Sequence, residues 1–169
     1  TGCQGTQTVS VVVGNGINVT ANTPAPICAG QSANLSVSGA DTYVWSPASG
    51  LNGTTGNAVI ASPSQTTTYT VVGTTSGCTD TAYVTVVVNP LPVINASAST
   101  SICAGGSVTL QASGAPNLSW SPATGLNTTS GNSVVASPGQ TTIYTVTGSD
   151  NGCSNSSTVT VSVNALPVV

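Results

Sequence analysis

The five cysteines of this chain fall at Cys3, Cys28, Cys78, Cys103 and Cys153, and one interval relates them: 78 − 3, 153 − 78 and 103 − 28 are all 75. The same offset, without a gap, carries Trp45 to Trp120, Pro47 to Pro122, Gly50 to Gly125, Leu51 to Leu126, Pro63 to Pro138, Gln65 to Gln140 and Tyr69 to Tyr144. An ungapped period over so many landmarks means that one structural unit is copied along the chain. The unit is small, so its core is thin and must be built economically.

Within each period apolar residues alternate with Thr and Ser, as in Leu35 and Val37, Tyr69 and Val71, and Val84, Val86 and Val88, the period-2 pattern of half-buried strands. Helical spacing is absent, β-branched residues dominate, and Gly, Pro, Asn and Ser clusters interrupt at short intervals. The reading is all-β: many short strands in a sandwich or barrel, about seven per repeat, with the repeats following one another along the chain. In the first full repeat the strands are expected at 16–23, 33–38, 42–46, 57–61, 67–73 and 80–88, with a short extra one between 48 and 56.

The chain starts out of phase with this unit. "TGCQGTQTVSVVVGN" aligns with "SGCTDTAYVTVVVNP", so residues 1–14 read as the closing strand of a preceding, truncated repeat. Residues 15–89 form repeat 1 and residues 90–164 repeat 2, and 165–169 read as the start of a following repeat, because "NALPVV" matches "NPLPVI".

Composition removes most chemistry. The chain has no Lys, Arg, His, Glu, Met or Phe, and its acids are Asp41, Asp80 and Asp150. General acid–base catalysis and activated Ser, Thr or Cys nucleophiles call for a neighbouring base, so no enzyme and no catalytic residue is expected. Nucleic acid is excluded as a partner because phosphate binding draws on Lys and Arg, and a net charge of −3 has the wrong sign. Mean hydropathy is positive, yet no apolar run approaches the ~20 residues of a membrane span, so no membrane insertion is expected. Zinc is disfavoured by isolated cysteines without CxxC or His. Calcium takes about 6–8 oxygens, with several carboxylates among them, more than three Asp provide at each junction. No cofactor or metal is therefore expected.

Trp45 and Trp120, each followed by Ser-Pro-Ala, are expected as core residues packing across the sandwich, with sugar stacking as the minor alternative. Tyr69 and Tyr144 stand where a tyrosine corner lies in Ig domains and are expected to be structural. The segments 48–57 and 123–132, rich in Gly, Asn and Thr, are the candidate recognition loops, although they keep nearly the same residues in both copies.

Thin-cored secreted domains are commonly stapled by disulfides. The odd cysteine count follows if Cys3 belongs to the truncated repeat. Two pairings are open. One joins Cys28 to Cys78 and Cys103 to Cys153 within each repeat. The other joins Cys28 to Cys153 across a junction, leaving Cys103 for a later repeat and Cys78 and Cys3 for earlier ones. Loop placement favours the second: Cys28 precedes the turn into the second strand and Cys78 sits at the last hairpin, at opposite ends of a sandwich. A strand of about eight residues spans ~26 Å, whereas disulfide-linked Cα atoms lie within ~7 Å.

The stretches "ICAGQSANLSVSGADTYVWSPASGLNGTTG" and "TTTYTVVGTTSGCTDTAYVTVVV", with their second copies "ICAGGSVTLQASGAPNLSWSPATGLNTTSG" and "TTIYTVTGSDNGCSNSSTVTVSV", resemble the Ig-like or PKD-like tandem repeats of Bacteroidota cell-surface proteins, gliding-motility adhesins and other type IX secretion cargo among them. The resemblance implies an Ig-like fold, export to the extracellular cell surface, and a role as a structural stalk or filament shaft. The alternative it leaves is an adhesin module binding glycans or a partner protein through its loops. The implied partners are adjacent repeats of the same chain and, beyond them, like fibres associating laterally or surface glycans. The resemblance also implies O-glycans at Asp-Ser/Thr-aliphatic sequences. Asp80-Thr81-Ala82 fits and Asp41-Thr42-Tyr43 fits loosely, which makes Thr81 and Thr42 the candidate acceptors.

Overall fold

The structure is a computed structural model and describes residues 16–167. The expected closing strand at 1–14, Cys3 with it, and the last two residues lie outside the described residues. The chain divides into two compact units, separated in sequence between Val87 and Val88.

In unit 1 the strands are β1 (Thr20–Ala21), β2 (Ile27–Cys28), β3 (Ala33–Ser38), β4 (Thr42–Ser46), β5 (Ala58–Ala61), β6 (Thr67–Thr75) and β7 (Cys78–Val86). Two three-stranded antiparallel sheets result, ordered β1-β3-β5 and β4-β6-β7. Unit 2 runs β8 (Val88–Asn89), β9 (Asn95–Ala96), β10 (Thr100–Cys103), β11 (Val108–Ser113), β12 (Asn117–Ser121), β13 (Ser133–Ala136), β14 (Thr142–Asp150) and β15 (Cys153–Asn164). Its sheets are β9-β11-β13 and β10-β15-β14-β12, with β10 parallel to β15 and the other pairs antiparallel.

Alternation decides which face is buried. Along β3, Ala33, Leu35 and Val37 are buried while Asn34, Ser36 and Ser38 face solvent. Leu35, Trp45, Tyr69, Val71 and Val86 have exposures of 1% or less and fill the space between the two sheets of unit 1. Their counterparts Leu110, Trp120, Tyr144, Val146 and Val161 fill unit 2. Two sheets with inward-facing alternate residues and the strand order found here define the architecture. Each unit is an Ig-like β-sandwich.

Two strand expectations are corrected and one strand is added. The strand at 16–23 contracts to Thr20–Ala21, because Pro24 and Pro26 follow and prolines lack the N–H a ladder needs. Beyond them the chain forms the unanticipated β2, whose Ile27 N–H donates to the Val87 carbonyl at 2.9 Å. The extra strand between 48 and 56 is absent; only isolated bridges form there, Leu51 to Ala61 and Val44 to Thr55. The reason lies in how that segment is used, described below.

The β3–β4 turn has one further constraint. Gly39 has φ 102°, and a Cβ there would overlap the carbonyl of Asn18; Gly114, φ 109°, meets Val93 in the same way. Glycine alone serves both the left-handed backbone and the close approach.

Candidate functional site: the edge-closing segment and the cysteines

The three acids belong to different elements. Asp41 lies in the β3–β4 turn, where its N–H reaches the Thr74 carbonyl (3.2 Å) and Thr75 Oγ1 (2.9 Å). Asp150 ends β14, in register with Cys153. Asp80, within β7, accepts the Val19 N–H on Oδ2 at 2.8 Å. That bond, followed by one from the Thr81 N–H, holds the Asp80 carboxyl below the usual carboxylate range. Among the described residues no three His, Cys, Asp or Glu side chains group closely enough to hold a metal ion.

The segment proposed as a recognition loop, 48–57, is spent on the fold. Along the outer edge of β4, the Trp45 N–H donates to the Thr54 carbonyl (2.8 Å) and the Gly56 N–H to the Tyr43 carbonyl (3.3 Å). Along the outer edge of β5, the Asn52 N–H donates to Ile60 O (3.0 Å), Asn52 Oδ1 accepts the Ile60 N–H (2.7 Å), and the Ser62 N–H donates to Gly50 O (2.6 Å). One short segment therefore pairs the free edges of both sheets on that flank. It reaches each edge in single rungs, which is why no continuous strand forms. Unit 2 repeats the pattern at the 75-residue offset: Trp120 N to Thr129 O, Gly131 N to Leu118 O, Asn127 N to Val135 O, Val135 N to Asn127 Oδ1 and Ser137 N to Gly125 O.

The buried aromatics anchor this segment. Trp45 Nε1 donates to Gly56 O (2.9 Å) and Trp120 Nε1 to Gly131 O (3.0 Å), at its far end. Tyr69 and Tyr144 hold the near end, their hydroxyls donating to Ser49 O (2.9 Å) and Thr124 O (2.7 Å). The tyrosine-corner expectation is corrected here: the bond reaches twenty residues back, to the segment after β4, instead of closing a local turn. Burial raises both phenol pKa values above their ordinary range. The repeated Trp-Ser-Pro-Ala, Gly-Leu-Asn and Thr-x-Gly spacing marks where this segment lies in each copy, without stating that it pairs sheet edges.

The cysteines differ in state. Cys28 and Cys153 are disulfide-bonded, whereas Cys78 and Cys103 are exposed free thiols. Cys153 is buried at 1% exposure although it holds the same hairpin position as Cys78. Each begins the strand after a two-residue turn with both φ positive, Ser76 and Gly77 in one unit and Asn151 and Gly152 in the other, the geometry that suits a right-twisted hairpin.

The candidate glycan acceptors are both exposed. Thr42 Oγ1 donates to Thr74 O at 3.4 Å, while Thr81 follows the Asp80 whose carboxylate is already occupied by Val19. An open groove of about 740 Å³ runs beside the β3–β4 turn, lined by Gly39, Asp41, Thr42, Tyr43, Thr55 and Asn57 among others. Its lining offers hydroxyl, amide and carboxylate groups.

No family model matches the sequence, and no curated protein matches it. Solved structures similar to the chain include the I-band fragment I67–I69 of titin, with 14% identity and a TM-score of 0.45, covering 90% of this chain and 67% of that one. Extracellular domains 3–5 of Drosophila OTK show 13% identity and a TM-score of 0.49, covering 87% of this chain and 62% of that one. The insect immune protein hemolin shows 14% identity and a TM-score of 0.45, covering 86% and 46%. The chain thus spans less than two thirds of the OTK and hemolin chains.

Proposed function

We propose that this chain is a structural repeat segment, a stalk or filament shaft, of a long extracellular fibre on a bacterial surface, and that a Cys28–Cys153 disulfide ties one repeat to the next. The observation that carries the reading is the distribution of cysteine states: Cys28 and Cys153 are bonded, and Cys78 and Cys103, their partners under pairing within repeats, are free. Disulfides persist in oxidising, extracellular compartments. The repeats lie in the order 1–14, 15–89, 90–164 and 165–169, and the immediate partner of each is its neighbour.

Such a bond has a mechanical meaning. Tension applied at the two ends of the chain passes through the sulfurs and bypasses residues 29–152, while β1 and the part of β15 after Cys153 stay in its path. Trp45, Trp120, Tyr69 and Tyr144 then serve the shaft by fixing the closing segments. The adhesin alternative is the weaker because segments 48–57 and 123–132 spend their backbone groups on sheet edges; an adhesive role falls instead to the groove beside Asp41, with surface glycans as its ligands. O-glycosylation at Thr81 or Thr42 would coat the shaft.

Peptide mapping without reductant tests the pairing, using chymotrypsin or thermolysin because trypsin has no site. A linked Cys28–Cys153 peptide is expected. A Cys28–Cys78 peptide would overturn the cross-linked shaft and leave independent modules on flexible joints. Single-molecule stretching adds a second check: reductant is expected to lengthen the extension released at unfolding, and an unchanged extension counts against the reading.

A further inference from the structure

The outer face of the β4-β6-β7 sheet carries side chains that its twin lacks. By alternation, the outward positions are the even-numbered ones of β4 and β6 and the odd-numbered ones of β7. All but three are Thr or Ser. The exceptions are Val44, 56% exposed, the half-buried Val72, and Tyr83, 70% exposed. Val44 stands opposite Val72, and Val72 opposite Thr81, two residues before Tyr83. Tyr83 is thus the diagonal neighbour of Val72, within reach of an aromatic side chain. The three form an apolar stripe across three strands, about 10 Å wide, in a field of hydroxyls. At its Tyr83 end, Thr70 stands directly opposite, and Thr68 and Thr85 share a hydroxyl–hydroxyl bond of 2.8 Å.

The fold does not require this stripe. In unit 2 the positions 75 residues on are Ser119, Thr147 and Thr158, all exposed and all hydroxylic, on the corresponding strands β12, β14 and β15. Unit 2 does expose Ile143 on this face, at 59%, but Thr160 stands opposite it and Thr145 is the next outward residue on its strand. The other aromatic side chains of the protein, Trp45, Trp120, Tyr43, Tyr69 and Tyr144, are buried. Tyr83 alone presents its ring to solvent.

We propose that the Val44–Val72–Tyr83 stripe is a binding platform for an uncharged polysaccharide. The C–H face of a sugar ring packs on the Tyr83 ring and along the valines, and its rim of hydroxyls meets Thr and Ser groups that both donate and accept. No outward position of this sheet is charged and the chain has no Lys or Arg, so an acidic polysaccharide finds no counter-charge here. A protein partner is a poorer match. Stable protein interfaces bury about 800 Å² per side around aromatic, Met or Arg anchors, whereas this face offers three apolar side chains in a hydroxyl-coated surface. Val44 also borders the groove beside Asp41, and the stripe leads away from that groove across the sheet. Thr81 opposes Val72, so an O-glycan on Thr81 would cover the platform. Binding of this kind is independent of the Cys28–Cys153 pairing.

The test is native affinity electrophoresis of the full chain, produced without O-glycosylation, in gels containing hydroxyethyl cellulose or galactomannan as neutral polysaccharides and alginate as an acidic one. Retardation by at least one neutral polymer and none by alginate is expected. Tyr83→Thr should remove most of it, and Val44→Ser and Val72→Thr each a part. These changes install the residues that unit 2 carries at the same positions, so the sandwich should still fold, and denaturant titration checks that it does. Conversely, Ser119→Val, Thr147→Val and Thr158→Tyr together should give unit 2 a stripe and strengthen the retardation. No retardation by either neutral polymer, equal retardation by alginate, or undiminished retardation of Tyr83→Thr overturns the platform. Retardation that survives all three unit 1 substitutions and is lost in Asn57→Ala moves the ligand to the groove and overturns it too. Oligomers that dissociate on Tyr83→Thr, without retardation, would make the occupant a second copy of the chain instead.

Discussion

The two units solve one problem with opposite hydrogen-bond polarity. In unit 1, Asp80 accepts the N–H of Val19. At the position 75 residues later stands Asn155, whose Nδ2 donates to the Pro92 carbonyl at 3.0 Å. Either way, the side chain satisfies a backbone group of the segment leading into the unit's first sheet. The fold demands a partner there and is indifferent to which end of the bond the side chain supplies. Only one of the two solutions titrates, so near-copies of one sandwich acquire different responses to acid.

The largest test of how alike the units are is removal of the core indole. Trp45→Ala and Trp120→Ala are each expected to cost about 3–5 kcal/mol, a large part of the stability of so small a domain. Denaturant titration of the reduced chain should show the transition of the substituted unit moving while the other stays. A marked inequality between the two costs would break the equivalence of the cores. Next come the turn glycines: Gly39→Ala and Gly114→Ala force a side chain into a left-handed backbone and against a carbonyl, with an expected loss of about 2 kcal/mol each in the same assay.

The smallest effect sharpens the contrast instead. The Asp80 carboxyl titrates below its ordinary value, so its contribution is present above the unfolded carboxylate pKa, near about 3.9, and is lost as pH falls through the folded value. Unit 1 should therefore lose melting temperature in acid through Asp80, and Asp80→Asn should remove that part of the slope. Equal acid slopes before and after the substitution would sink this account. Tyr69 and Tyr144 shift the other way, upward by burial. The neutral phenols contribute fully below about pH 10, and both units should weaken together as pH rises through the folded phenol values.

The repeat and the alternation were legible because both are periodic: Leu35 and Val37, or Tyr69 and Val71, state their own facing. The closing segment was not. Leu51, Asn52 and Thr54 show no alternation, since the segment touches two sheets at single rungs, and a hydrogen bond between Trp45 Nε1 and Gly56 O spans eleven residues of irregular chain. With so little charge, something other than charged side chains must guard the sheet edges. On this flank the guard is Asn52 and its neighbours, whose backbone groups carry no compositional mark. The short β2 escaped notice for a similar reason: two residues, Ile27 and Cys28, form no pattern.

The closing segment bears on how such a chain is made. Neighbouring domains of near-identical sequence are prone to exchange strands with one another as they emerge and fold. A unit that occupies the outer edges of β4 and β5 with eleven of its own residues, or fewer, as soon as it is complete has no template left on that side for its twin. Likeness between successive copies then becomes tolerable, and a gene can lengthen by duplication without each added copy endangering the folding of the last.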